Sequence, residues 1–418
     1  TYRSLSRQYK TKFARNKGYA MKLHINPNSP GIKNTTDKDT GKTLSINKNT
    51  DIKNKKRAPL IIKLSIVLFA VFLNILSWNS NTFSDWYIAN ILPLWVNTYS
   101  RFTSIFPFSV GEKLIIIGII LLAAGIVVFL LGFIKHKKLK LLRRRYWNTI
   151  SWILVFVILI QTLNCFILYH ASTFASKYID TTNQQEYGFE ELYNLREHIV
   201  AKLNYLSKQF ERDNNGEIIF DGDLYSECIE SMGQLGKKYP SLAGYYPQPK
   251  KIYFSNIMSQ QYLSGIFFPF TLEANYNTNM YITNMPYTIC HELAHLKGYI
   301  YEDEANFIAF MACIQSDNLF FQYSGYLNVL NYVSNDFKKN ASNEEWNSRT
   351  LVTEEVASDN IFLTPGAWEK VNKTSPFRTE TVETISNTFL DGNLKLNGIK
   401  DGIQSYSRVV QLLIYYYS

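Results

Sequence analysis

Three long apolar runs fall within the first 170 residues, and they limit what this chain can become more than any other feature. Residues 59–78 carry Lys63 as their one charge, and residues 114–134 and 149–169 carry none. Each has the about 20 residues that an α-helix needs to cross a bilayer. Lipid offers no partner to backbone N–H and C=O groups, so each run is expected to be a helix. Lys63 sits near one end, where it can snorkel, and Trp78, Trp147 and Trp152 sit where interfacial aromatics are found. Gln161 and Asn164, inside the third run, can hydrogen-bond to another span. The first run is too long and too late for a cleavable signal sequence.

Charge sets an expected orientation. Residues 1–58 hold fifteen Lys and Arg against three Asp, and residues 135–145 hold seven Lys and Arg with no acid. The link between the first two spans, residues 79–113, has only Arg101 and Lys113 as cations. Basic flanks stay in the cytoplasm. Both basic segments fall on one side of a three-span arrangement, which puts residues 171–418 outside the cytoplasmic membrane. That outer part is acidic: from residue 149 onward nineteen Lys and Arg face twenty-nine Asp and Glu. The overall charge of +10 is therefore no nucleic-acid footprint, and no aromatic and basic interleaving of a nucleic-acid module is found. Residues 1–58, rich in Lys, Asn, Thr and Ser, cannot bury enough surface to fold alone and read as a disordered tail. The chain opens on Thr1 rather than Met, which fits a fragment.

The outer loop 79–113, with Trp86, Trp95 and Phe106-Pro107-Phe108, is expected to lie on the membrane surface or to pack under the outer domain. Beyond it the fold class is α+β and mainly helical. Helices are expected over 188–212, 223–238, 286–298, 302–316, 319–340, 377–395 and 404–417. Strands are expected over 251–257 and 262–272, and Pro269 makes the second an edge strand. Such an edge can pair with an extended peptide, with Phe268 and Phe270 as substrate-binding residues, or it can be a plain capping hairpin. The cysteines Cys165, Cys228, Cys290 and Cys313 form no CxxC pair, so they read as small core residues, with one disulfide open to them in an oxidising compartment.

The stretch that carries chemistry is His291-Glu292-Leu293-Ala294-His295, followed by Glu302-Asp303-Glu304-Ala305-Asn306. Histidines four apart share a helix face and can hold one Zn²⁺. Gly298 ends the first helix, and carboxylates of the second run offer the third ligand. Asn306, one turn after Glu302, can bond a ligand from behind. Zinc with three protein ligands acidifies a water in its fourth position, and Glu292 would take that water's proton and return it to a leaving amine. The reaction is peptide-bond hydrolysis. Tyr406 is a candidate oxyanion stabiliser from a later helix.

The run from Glu302 resembles the Glu-x-x-Ala-Asp/Asn of Glu-zincin peptidases. That resemblance implies Glu302 as the third zinc ligand, with Glu304 as the alternative, and Asn306 behind the ligands. The chain as a whole resembles the bacterial family known as domain of unknown function 3810. The matching segments are Phe106 to Glu112, Ser264 to Asn275, Cys290 to Phe307 and Asp401 to Tyr406, and the likeness covers about residues 60–418. It implies three spans followed by a zincin-like outer domain, and no agreed substrate. The expected function is a membrane-anchored zinc metallopeptidase acting on a peptide or protein outside the cytoplasm. A transmembrane sensor, motivated by the long basic tail, and a non-catalytic scaffold are the alternatives.

Overall fold

The computed structural model describes residues 48–133, 137–179, 187–375, 378–382, 384 and 408–418. The basic tail before residue 48, most of the helix expected over 377–395, and Tyr406 lie outside the described residues.

Three helices are long and apolar enough to cross a membrane. Helix α1 is Lys48–Asn79, with its apolar part from Ala58. Helix α2 is Val110–Leu130, and α3 is Lys137–Gln161, continued by a π turn and a 3-10 turn to His170. Large apolar side chains such as Leu68, Phe72, Ile119 and Phe156 face outward all round these helices. A helix apolar on every side needs either a protein core or lipid around it. Polar bonds between the spans are sparse. Asn74 Nδ2 donates to Thr162 Oγ1 at 2.9 Å, and Tyr146 OH donates to the Leu121 carbonyl at 2.6 Å. Lys63 Nζ reaches Asn148 Oδ1 at 2.9 Å. Asn164, expected to bond another span, instead donates to the Pro269 carbonyl in the turn before β3 at 2.8 Å. Two residues earlier Thr162 does meet α1 through Asn74, and two residues along a helix is about 200° of turn, which carries Asn164 to another side.

Residues 79–113 pack against the helices and sheet that follow residue 170. They form short helices, Asn81–Asn90, Leu92–Trp95 and Arg101–Ser104. Tyr87, Leu92 and Val96 are buried in the same core as the helices after residue 188. Ser100 and Thr103 donate to the Leu272 and Thr271 carbonyls at 2.9 and 3.0 Å. Trp86 and Trp95 stay exposed.

The part after residue 170 is a helical layer with a small sheet on one flank. Its main helices are α4 (Phe189–Leu206), α5 (Leu224–Lys238), α6 (Met285–His295), α7 (Glu302–Ile314), α8 (Leu319–Asn340) and α9 (Arg408–Tyr417). Local signals start several of them. The Asp223 carboxylate accepts from the N–H groups of Tyr225 and Ser226, and Asn318 caps α8 through Phe320 N. Helix α7 is buried on every face from Asp303 to Cys313 and packs between α6 and α8. All four cysteines are free thiols; Cys228, Cys290 and Cys313 are fully buried, one each on α5, α6 and α7. They fill small gaps where these helices approach. Residues 341–375 hold three short helices, each with a Ser or Thr side chain capping its N-terminus.

The sheet departs from the expected strands. It has the order β1-β3-β2, with β1 Lys250–Lys251, β2 Gly265–Phe268 and β3 Glu273–Tyr276. Residues 255–260 form a helical turn instead of a strand. The run 262–272 breaks at Pro269, which opens the turn into β3 rather than lying within a strand. Proline cannot donate to a ladder, so the pairing ends at Phe268. Strand β2 is nonetheless the edge, antiparallel to β3.

Gly298 takes φ +93° just past α6. Its N–H bonds the His295 carbonyl at 3.0 Å, which closes the helix and turns the chain back. A Cβ there would meet Ile88 Cδ1 at 2.9 Å. Gly298→Ala is expected to cost about 1–3 kcal/mol, because an L side chain in this conformation is strained. A lowered thermal midpoint of the detergent-solubilised protein checks this, and an unchanged midpoint contradicts it.

Candidate metal centre

Helix α6 carries Pro286 in its first turn, where a missing N–H costs nothing, and runs without a breaker to His295. His291 and His295 lie one turn apart, with ring centroids 4.6 Å apart and planes nearly perpendicular. The reversal at Gly298 brings the first residue of α7 back against them. His291 Nε2 lies 3.1 Å from Glu302 Oε2, and His295 Nε2 lies 3.9 Å from Glu302 Oε1. Tetrahedral zinc with bonds of about 2.0–2.1 Å holds its ligand atoms about 3.3 Å apart. The donor set His291, His295 and Glu302 falls within 4.8 Å of mutual contact. It is the one such cluster among the described residues.

Neighbours fix the ligands. His295 Nδ1 sits 2.7 Å from the Tyr299 carbonyl, so a proton there leaves Nε2 free to ligate. The Asn306 side chain hydrogen-bonds His291 and also reaches Tyr332 OH at 3.5 Å. Replacing Asn306 by Ala is expected to weaken metal binding about 10–100-fold by freeing the His291 ring. Competition against a chelator of known affinity measures this, and unchanged affinity would remove Asn306 from the centre. Glu304, the alternative ligand, faces away. Its carboxylate accepts from the backbone of Phe174 and Ala175, the latter at 3.2 Å. Two residues along a helix is about 200° of turn, which carries it to the opposite side. Asp303 also points elsewhere and pairs with Arg408 Nε at 2.9 Å.

Electrostatics in the cluster are strongly coupled. Burial opposes a charge on His291, but the Glu302 carboxylate outweighs it and raises His291 to about 9. Burial works against charge on Glu302 as well, yet the two imidazoles hold it down to about 2. His295, buried and beside the charged His291, falls to about 4. A metal ion would have to displace the His291 proton, so its affinity weakens as pH falls.

Glu292 lies one step round α6 from His291 and is buried. Burial pushes its carboxyl up to about 8, against the pull of His291. Among the described residues its Oε2 has no hydrogen-bond partner, although the cleft lies beside it. A carboxylate oxygen left bare in a buried site needs a ligand or a proton to satisfy it. A Cβ at Gly265 would stand 2.4 Å from Glu292 Oε1, so the edge strand can pass this close only as glycine. The orphaned oxygen and the two-nitrogen, one-carboxylate donor set both fit a zinc centre.

The centre opens into a cleft of about 530 Å³. Gly265, Ile266 and Phe267 of β2 line the cleft, and the Phe267 ring lies 6.0 Å from that of His295. Phe268 and Phe270 are not brought to the cleft. Phe268 packs on Gly111 and stacks near Phe270, ring centroids 5.5 Å apart. Four tyrosines that the sequence does not place there line the cleft: Tyr169, Tyr262, Tyr287 and Tyr332. Tyr287 is one turn before His291, on the face that the four-residue spacing already defined, and its buried hydroxyl has no partner among the described residues. Tyr332, on α8, had no local signal among twenty-nine tyrosines.

No curated protein and no solved structure matches the chain. A family profile described as Protein of unknown function (DUF3810) matches residues 87–414, a stretch that includes α2, α3, the sheet and the cluster of His291, His295 and Glu302, and the chain belongs to that family.

Proposed function

We propose that this protein is a membrane-anchored zinc metallopeptidase with a zincin-like outer domain, working outside the cytoplasm. One observation carries the reading. His291 Nε2, His295 Nε2 and the Glu302 carboxylate converge on a point beside the unpartnered Glu292 Oε2, in a cleft bordered by an edge strand. The basic residues before α1 and between α2 and α3 support an N-terminus in the cytoplasm and a cleft on the other side.

His291, His295 and Glu302 would hold the ion, which when bound supplies a Lewis acid that acidifies water and polarises a carbonyl. Glu292 does the proton work. Its carboxylate accepts a proton from water as the oxygen bonds to the carbonyl carbon, then hands that proton to the departing amine nitrogen as the C–N bond breaks. A positive ion nearby pulls the Glu292 carboxyl down from about 8, so that it is ionised and able to accept. The edge strand β2 offers backbone groups to an extended substrate, which places a peptide bond over the centre. The hydroxyls of Tyr287 and Tyr332 line the same cleft.

The test is metal analysis of the purified full chain together with hydrolysis of a degenerate quenched-fluorescence peptide pool. About one zinc per chain, and activity that a chelator removes and zinc restores, is the expected result. Full-length protein that takes up no zinc would overturn the reading.

A further inference from the structure

The floor of the cleft is membrane helix. Gln161, Cys165 and Tyr169, at four-residue intervals on the outer end of the third span, line the same cleft as His291, Glu292 and His295. Their depth follows from counting. About 20 helical residues cover the ~30 Å hydrocarbon core, and counted from Arg145, the last of the basic cluster, they end near Cys165. The cleft floor is therefore level with the outer bilayer surface.

Other contacts hold the outer domain at that depth. Asn164 Nδ2 donates to the Pro269 carbonyl at 2.8 Å, so the β2–β3 turn sits on the third span. Phe268 lies against Gly111 in the first turn of α2, so closely that a Cβ at Gly111 would stand 2.5 Å from the ring. Beside it Tyr253, Phe254 and Ile257 are exposed to solvent in the protein alone, 80%, 43% and 43% respectively. Glu112 Oε1 ties Phe254 N to the outer end of α2 at 2.8 Å, and Lys113 Nζ lies 5.8 Å from the Tyr253 ring. Exposed aromatics beside a lysine at a helix end belong at headgroup depth.

A cleft whose floor is at the membrane surface, and whose wall is an edge strand, receives an extended chain that emerges from the same bilayer. We propose that the substrate is a membrane-anchored polypeptide, cut within about ten residues of the lipid surface, roughly 30 Å of extended chain. This rests on the hydrolase reading above and adds to it where the scissile bond must lie.

The test uses the full chain, zinc-loaded, in lipid nanodiscs. Three probes carry the same degenerate ten-residue fluorogenic segment. One joins it directly to a single leucine-rich span in the same nanodisc, one inserts a flexible Gly-Ser spacer of about 30 residues, and one is the free segment. Both tethered probes keep the segment at a high local concentration, so only its distance from the bilayer separates them. The directly joined probe is expected to be cleaved at least about tenfold faster than the spaced probe, with cuts mapping next to the span. Equal rates for those two would overturn the membrane-proximal substrate and leave the hydrolase standing. A chain that binds no zinc and cleaves none of the three would overturn the hydrolase reading and this inference with it.

Discussion

Changing Glu292 to Gln is expected to lower hydrolysis about 10²–10⁴-fold while leaving the zinc content near one per chain. Glutamine keeps the shape and can still meet the Phe267 backbone and Gly265, but it cannot accept a proton. The metal ligands are untouched, since Glu292 is one residue round the helix from His291 and its Oε2 bonds nothing in the cluster. The split between lost turnover and retained metal is the signature of a proton carrier. Loss of both together would mean that Glu292 supports the ligands, and loss of neither would favour a scaffold. Metal analysis and peptide-pool hydrolysis on the same preparation give the answer.

The second large effect is on stability. Glu273 of β3 is almost fully buried, and its carboxylate holds four groups. Lys250 Nζ lies 2.6 Å from Oε1, Thr271 Oγ1 donates to Oε2 at 2.8 Å, and the N–H groups of Val110 and Gly111 donate at 3.1 and 2.8 Å. The last two are the free N–H groups in the first turn of α2, where a negative charge is favoured. One carboxylate thus joins the sheet to a helix long and apolar enough to cross a membrane. Replacing Glu273 by Ala leaves the buried Lys250 ammonium with the Thr103 and Phe108 carbonyls but no counter-charge, at a cost of about 3–5 kcal/mol. The double replacement with Lys250→Met should recover part of that loss, because it removes the stranded charge. A thermal or proteolytic stability series on the two single variants and the double variant checks this. A Glu273→Ala variant as stable as the parent would show that the junction is held by other contacts.

What was legible in the sequence was whatever depends on short range. The lengths of the three apolar runs, the helix from Leu319 to Asn340, and the turn at Gly298 follow from spacing and from residue type within a few positions. The juxtaposition of His291, His295 and Glu302 was legible for the same reason, since one helix turn and one tight reversal define it. Long-range geometry was not. Nothing near Glu273 announces that it caps a helix 163 residues earlier, and nothing near Gln161 says that it lines the same cleft as His291 and Glu292. The β-rich run around Phe268 was read as one strand because its composition is uniform, yet Pro269 divides it, and alternation along β2 turns Phe267, not Phe268, toward the histidines. The choice of Glu302 over Glu304 could be made from a motif, but its physical reason needed the partner of Glu304, the backbone at Phe174 and Ala175.

The most direct measurement is X-ray absorption at the zinc edge on the zinc-loaded full chain. Two imidazole nitrogens and a carboxylate oxygen at about 2.0–2.1 Å are expected, with the imidazole scattering reduced in His295→Ala and zinc lost when both histidines are replaced. A coordination shell containing sulfur, or a spectrum unchanged after both histidines are gone, would contradict the account.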